Sequence, residues 1–200
     1  MQSVKNLKSS LSIYEAFDIG SIEGRDGNKF TLHAGMTEEH VGQLKAFSLD
    51  ATDEALQNNT SDKMRFGEGS YEDWYAKNRT PFSVVDEATG ALAALIWFGP
   101  KTLGAKSMSH LDAVEQEKVL GTDPENYHTI AYRAYIPYRG AGIMKKAVLA
   151  ATEAYLEAFP DAVLWAIVDE DNLASIGLSK ALGYEVIGKE VDGFVVMVRG

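Results

Sequence analysis

Two glycines set just ahead of a long helix constrain this chain more than any other feature. Tyr127 to Ile136 is rich in Tyr and β-branched residues and reads as a strand, and Pro137 stops it. Arg139-Gly140-Ala141-Gly142 follows. From Ala141 to Phe159, Ile143, Ala147, Ala151, Ala154 and Ala158 recur on one helical stripe, flanked by Met144, Val148 and Tyr155. Pro160 ends that helix. The paired glycines let the backbone turn tightly and approach a ligand. The first N–H groups of a helix lack partners, and with the helix dipole they attract an anion. Arg139 adds a guanidinium suited to phosphate oxygens. Spacing alone fits both a pyrophosphate cradle and a plain strand-to-helix turn. It excludes a P-loop, because no Gly-Lys-Ser/Thr ending is present, and a dinucleotide fingerprint, because the third glycine is missing.

The elements around this turn suggest an α/β chain. Lys29 to Ala34 alternates as a strand does, with Phe30 and Leu32 on one face. Thr37 is a candidate N-cap, followed by Glu38 and Glu39 and by Val41, Leu44 and Phe47 or Ser48 at helical spacing. Tyr71 to Lys77 reads as a short helix. Phe82 to Asp86, the turn Glu87-Ala88-Thr89-Gly90 and Ala91 to Phe98 read as a hairpin whose second arm is apolar on both faces. Leu111 to Leu120 reads as a helix closed by Gly121. Val163 to Val168 is a second central strand, and Leu173 to Leu182 a helix stopped by Gly183. Tyr184–Ile187 and Phe194–Val198 form strands around Asp192-Gly193. Leu7 to Phe17 is expected as a short amphipathic helix and Gly24–Asn28 as a turn, while residues 50–70 show no periodicity. The order predicts a sheet with helices on both faces. Residues 1–28 are expected as an extension packed on a single domain spanning 29–200.

Composition narrows the function classes. With 200 residues and no cysteine, the chain has no thiolate metal site, iron–sulfur ligation or cysteine nucleophile. His33, His40 and His110 show no paired metal spacing, so they are read as surface or packing residues and no metal is expected. Trp74, Trp97 and Trp165 are expected in the core. A net charge of −10 offers no basic footprint for nucleic acid. The apolar run Ala91–Gly99 is far too short to span a membrane, and no h-region follows Met1–Lys8. A cytoplasmic protein is expected, with no nucleic-acid or membrane partner; a homodimer is compatible with the sequence.

A second segment sharpens the reading of the glycine turn. Asn172-Leu173-Ala174-Ser175-Ile176-Gly177-Leu178 and Leu182-Gly183-Tyr184 follow the second central strand. Together the two segments resemble the acetyl-CoA-binding motifs of the GNAT superfamily of N-acetyltransferases. Arg139 and Gly142 match its Gln/Arg-x-x-Gly-x-Gly/Ala pattern. Asn172, Ser175, Ile176, Leu178, Gly183 and Tyr184 match its last helix. The resemblance implies a mixed, mostly antiparallel sheet and an acetyl-CoA-dependent transfer of acetyl to a primary amine of a small molecule or peptide. It further implies that backbone groups at Ala134, Tyr135 and Ile136 pair with the pantetheine arm. The amides of Arg139, Gly140, Ala141, Gly142, Ile143 and Met144 would hold the pyrophosphate. Asn172 would steer the cofactor or cap the last helix, and Ser175 would lie near the CoA arm.

The chain departs from the pattern twice. Met144 stands where the family prefers Gly or Ala. Ser179 stands where many members carry a tyrosine proposed as general acid. A thiolate leaves tolerably without such help, since thiol pKa values lie around 8.5. A lysine-like amine is neutral in less than about one part in a thousand at pH 7, so a base must take its proton. His128 sits about where many members place a catalytic carboxylate, and its imidazole suits the task. It also fits a surface or capping role. Glu170, Glu125 and Asp169 are its rivals as base. The N–H of Ile136 is the candidate oxyanion donor. A CoA-binding module without catalysis is the competing reading.

Overall fold

The structure is a computed structural model that describes residues 11–102, 111–120 and 124–199. The expected helix from Leu7 lies partly outside that range, as do His110 and Gly121. The chain divides into two compact units, Met1–Trp97 with Tyr132–Pro160, and Phe98–Ala131 with Asp161–Gly200.

In the first unit the strands run in the order β1 (Ala16–Glu23), β2 (Lys29–Gly35), β3 (Thr80–Asp86) and β4 (Leu92–Pro100, to Trp97 in this unit). β1 replaces the end of the expected N-terminal helix. It pairs antiparallel with β2, with a bulge between Asp18 and Gly20. The apolar residues there fit either period, and the hydrogen-bonding edge of β2 decides between them. The expected turn joins the two strands, where Gly24 N–H donates to Asn28 C=O at 2.8 Å and Gly27 holds a left-handed φ of 78°. β3 and β4 form the expected hairpin, and β4 is buried at every residue from Leu92 to Gly99. Such a strand can only be central.

α1 (Glu38–Leu49) starts at Thr37, which caps the His40 N–H as expected. Its buried side differs from the reading: His40, Leu44 and Ser48 face inward. Ser48 donates to Leu44 C=O at 2.8 Å, and His40 Nε2 lies 3.3 Å from Gly90 C=O while its Nδ1 finds no partner among the described residues. The unreadable stretch 50–70 contains α2 (Glu54–Asn59) and a π-helix, Lys63–Gly67. α3 (Tyr71–Tyr75) follows, capped by Ser70. The unit closes with the end of β5 (Tyr127–Ala134), the glycine turn and α5 (Met144–Ala158), which buries Ala147, Ala151, Ala154 and Ala158 as the stripe predicted.

The second unit holds α4 (Ala113–Leu120), the start of β5, β6 (Val163–Asp169), α6 (Leu173–Ala181), β7 (Glu185–Val191) and β8 (Phe194–Arg199). β5 and β6 pair in parallel, while β6–β8 and β7–β8 pair antiparallel, in the order β5-β6-β8-β7. Asp192 and Gly193 both take positive φ, the geometry of a tight hairpin. The fold class is the mixed α/β one expected, its strands pairing largely antiparallel. Trp74, Trp97 and Trp165 are buried, and Trp165 donates its indole N–H to Lys101 C=O at 2.7 Å.

Candidate cofactor and active site

The turn between β5 and α5 is fixed from several sides. Tyr135 is fully buried and stacks on Phe47 with ring centroids 4.6 Å apart. Its N–H donates to Ala93 C=O on β4, and its C=O accepts the N–H of Tyr138. Both backbone groups of Tyr135 are thus used within the fold. A strand's successive residues alternate their hydrogen-bonding edges, so pairing with an added extended chain falls to Ala134 and Ile136. Ile136 is 54% exposed and joins Pro137 through a cis peptide. Tyr138 donates its hydroxyl to Asp86 at 3.0 Å and packs edge-on against Phe30. Asp86 also accepts the N–H of Ala88, and these bonds hold its carboxyl below the usual range.

Arg139 does not offer its guanidinium to a ligand. Nη1 and Nη2 grip the two oxygens of Asp53 at 2.6 and 2.5 Å, and Nε donates to Ala134 C=O at 2.9 Å. Asp53 meanwhile caps α2 by accepting the Leu56 N–H. This bidentate pair braces the turn, so Arg139 contributes to the candidate cradle through its backbone alone. Asp53 was missed in the sequence because it lies far from Arg139 along the chain and belongs to no motif.

Beyond Arg139 the turn is shaped by its two glycines. Gly140 and Gly142 hold φ of 81° and 77°. A Cβ on Gly140 would meet nothing within 4 Å, whereas one on Gly142 would stand 2.7 Å from Cγ of Arg25. Arg25 belongs to the β1–β2 turn, and its N–H donates to Ala141 C=O at 2.9 Å. Lys146 donates to Glu23 C=O at 2.7 Å, tying the same two turns together. α5 starts after Ile143 with no side-chain cap and no acid in its first turn. By contrast α1, α2, α3 and α6 each have a side-chain oxygen on their first N–H groups.

The second unit holds the remaining candidates. Asn172 caps α6, accepting the Ser175 N–H at 3.1 Å, the capping role among its two expected ones. Ser175 is half-buried in the first turn of that helix. Ser179 is 1% exposed, and its C=O accepts the N–H groups of Leu182 and Tyr184. Glu170 follows β6 and donates its N–H to Gly193 C=O at 2.9 Å. Asp169 folds back to accept the Asp171 N–H, and Glu125 is exposed. His128 is 7% exposed on β5, opposite Leu164 of the parallel β6. Glu170 lies six positions beyond Leu164, just past the end of β6, about 20 Å of rise at the usual ~3.3 Å per residue. His128 and Glu170 therefore lie toward opposite ends of β6 and are not alternatives for one position. Among the described residues no cluster of His, Asp and Glu could hold a metal ion, and no helix is long and apolar enough to cross a membrane.

Solved structures share this fold. The GNAT domain of S. lividans PAT matches with a TM-score of 0.60 at 15% identity, covering 92% of this chain and 95% of that one. Ribosomal-protein-S5-alanine acetyltransferase from Vibrio fischeri gives 0.59 at 13% identity, covering 92% and 96%. RimL, the ribosomal L7/L12 alpha-N-protein acetyltransferase, gives 0.59 at 14% identity, covering 95% and 97%. Identities this low establish the fold alone. No curated protein matches the sequence. The family model of the acetyltransferase (GNAT) domain matches residues 34–185. The glycine turn, the capped last helix and that match lead to one assignment: the chain belongs to the GNAT family of acetyltransferases.

Proposed function

We propose that the chain transfers the acetyl group of acetyl-CoA directly to a primary amine. The observation that carries this reading is the start of α5, uncapped and free of acids behind two left-handed glycines. The residues present fit a pyrophosphate. The amides from Arg139 to Met144 would hold it, except that of Ala141, which donates to Tyr138 C=O at 3.2 Å; Lys145 is exposed beside them, and Ala134 and Ile136 would pair with the pantetheine arm. When bound, acetyl-CoA supplies the activated acyl group. His128 takes the proton of the amine, directly or through water.

The cofactor reading is tested by thermal unfolding. CoA and acetyl-CoA raise Tm because they bind only the folded state. Dephospho-CoA retains most of the shift and pantetheine little, since the pyrophosphate carries the contact; no shift with millimolar CoA overturns the reading. Catalysis is tested by His128→Ala, expected to lower turnover about 10²–10⁴-fold with CoA affinity unchanged. The buried Ser179, in place of a tyrosine, favours the second reading, a CoA-binding module without catalysis. Absence of amine-dependent CoA release across an amine panel, with CoA binding intact, selects it.

A further inference from the structure

The first unit concentrates positive charge that the cofactor reading does not use. Asp62 is fully buried, and two guanidinium groups close on it: Arg65 through Nη1 at 2.9 Å, and Arg133 through Nη1. Both also lie over the indole of Trp97, 5.3 Å from the ring centroid for Arg65 and 4.2 Å for Arg133. Phe66 and Trp74 pack edge-on against the same indole. Two cations thus share one carboxylate and one ring.

The surplus is real because guanidinium stays charged in proteins. Burial lowers the proton affinity of Arg133, with Asp62 opposing and Arg65 adding to the effect. Burial lowers the proton affinity of Arg79 as well, and the charge of Arg65 adds to it. The Arg133 side chain is only 9% exposed, yet its Nε finds no partner among the described residues. Nor do Arg79 Nη1 and the buried hydroxyl of Tyr135, two residues further along β5. Buried donors of this kind are normally satisfied, and a buried cation that is not fully paired is a standing cost to the fold. Arg65, with a side chain 33% exposed, leads from the cluster to solvent.

The segment carrying Arg65 and Phe66 is the π-helix, a rare form found disproportionately at functional sites. Local packing holds it in place. A Cβ on Gly67 would stand 2.8 Å from Leu49 Cδ2, and one on Gly69 2.6 Å from the carbonyl oxygens of Arg65 and Met64.

We propose that Arg65 and Arg133 form a carboxylate-binding subsite, so that the acceptor is an amine that also carries a carboxylate, an amino-acid-like molecule. The proposal rests on the acetyl-transfer reading above and names its substrate class. Asp62 with Arg65 and Arg133 leaves one net positive charge, which a single carboxylate neutralises, and Arg79 nearby adds to the attraction for an anion. A planar carboxylate also matches the guanidinium fork, and the Trp97 cluster offers an apolar wall to a compact organic body.

The test compares the twenty amino acids with their carboxamides, in wild type, Arg65→Gln, Arg65→Lys and Arg133→Gln. In the transfer assay, wild type should favour the best acid over its amide by about 10²-fold in kcat/KM, the scale of one lost charged contact. Arg65→Gln and Arg133→Gln should reduce the ratio to near unity, and Arg65→Lys should keep part of it. The Tm shift produced by CoA should be unchanged in Arg65→Gln. Equal rates on acid and amide in wild type, or a preference that survives both glutamine variants, overturn the proposal. If CoA gives no shift, the acetyl-transfer reading has failed separately. The subsite is then judged by the Tm shift that the amino acids themselves produce, expected for acids and absent for amides; a shift with neither, or with both alike, sinks it.

Discussion

The glycine turn and the arginine cluster lie in the same unit and concern opposite kinds of recognition. The turn presents backbone: it is shaped by left-handed glycines ahead of a helix with no side-chain cap, and its one arginine is consumed by Asp53. The cluster presents side chains, with guanidinium donors left over beside a buried carboxylate. In the turn an arginine that looked like a ligand is a brace. In the cluster, arginines without any motif hold the spare hydrogen-bonding capacity. A charged residue's sequence neighbourhood says little about its use; the partner it finds in space decides.

Gly142→Val should have the largest effect on this contrast. It adds left-handed strain and a clash with the Arg25 stem, and should abolish the CoA-dependent Tm shift. Gly140→Ala meets no atom, so it should cost only the strain, about 1–2 kcal/mol, with CoA binding largely kept. Equal behaviour of the two, by calorimetry with CoA, would reduce the turn to a simple connection.

Next in size is Arg133→Gln, which leaves Asp62 with one partner and Trp97 with only the more distant Arg65 over its ring. A loss of about 2–4 kcal/mol in urea unfolding is expected, with the CoA shift intact. Asp53→Asn then separates charge from capping, because asparagine caps a helix as well as aspartate does. It should cost about 1–3 kcal/mol and weaken CoA binding by loosening Arg139. If CoA affinity is unaltered, the brace is irrelevant to the cradle.

The smallest effect lies outside both regions and sets their background. Burial lowers the pKa of His33, and Asp18 only partly opposes it. The unfolded chain therefore binds this proton at higher pH than the folded one. The stabilising contribution is fully present above the unfolded value of about 6.5 and declines as pH falls toward the folded one. Denaturant titrations from neutrality to about pH 5 should show a shallower decline in His33→Gln than in wild type.

Features built from adjacent residues were legible in the sequence. The β3–β4 hairpin, the alanine stripe of α5, the Asn172 cap and the glycine turn each depend on local spacing or turn chemistry. β1 was not, because Ala16–Glu23 becomes a strand through the edge it meets. The short helices of 54–75 were unreadable because each is too brief to show a period. The pairs Asp53–Arg139 and Asp62–Arg133 were hidden because sequence shows charges and not which of them meet.

β4 has a second life before it folds. From Ala91 to Gly99 the chain carries no charge and runs through Leu92, Leu95, Ile96, Trp97 and Phe98, all of them buried afterwards. On a nascent or unfolding chain the same stretch is a sticky β-prone segment that can pair with a copy of itself. Asp86 and Glu87 stand before it, and Pro100 and Lys101 behind it. Charge and proline at those borders oppose stacking between chains while leaving the folded strand undisturbed. Removing them would be felt first in the yield of soluble protein at high concentration, while Tm barely moved.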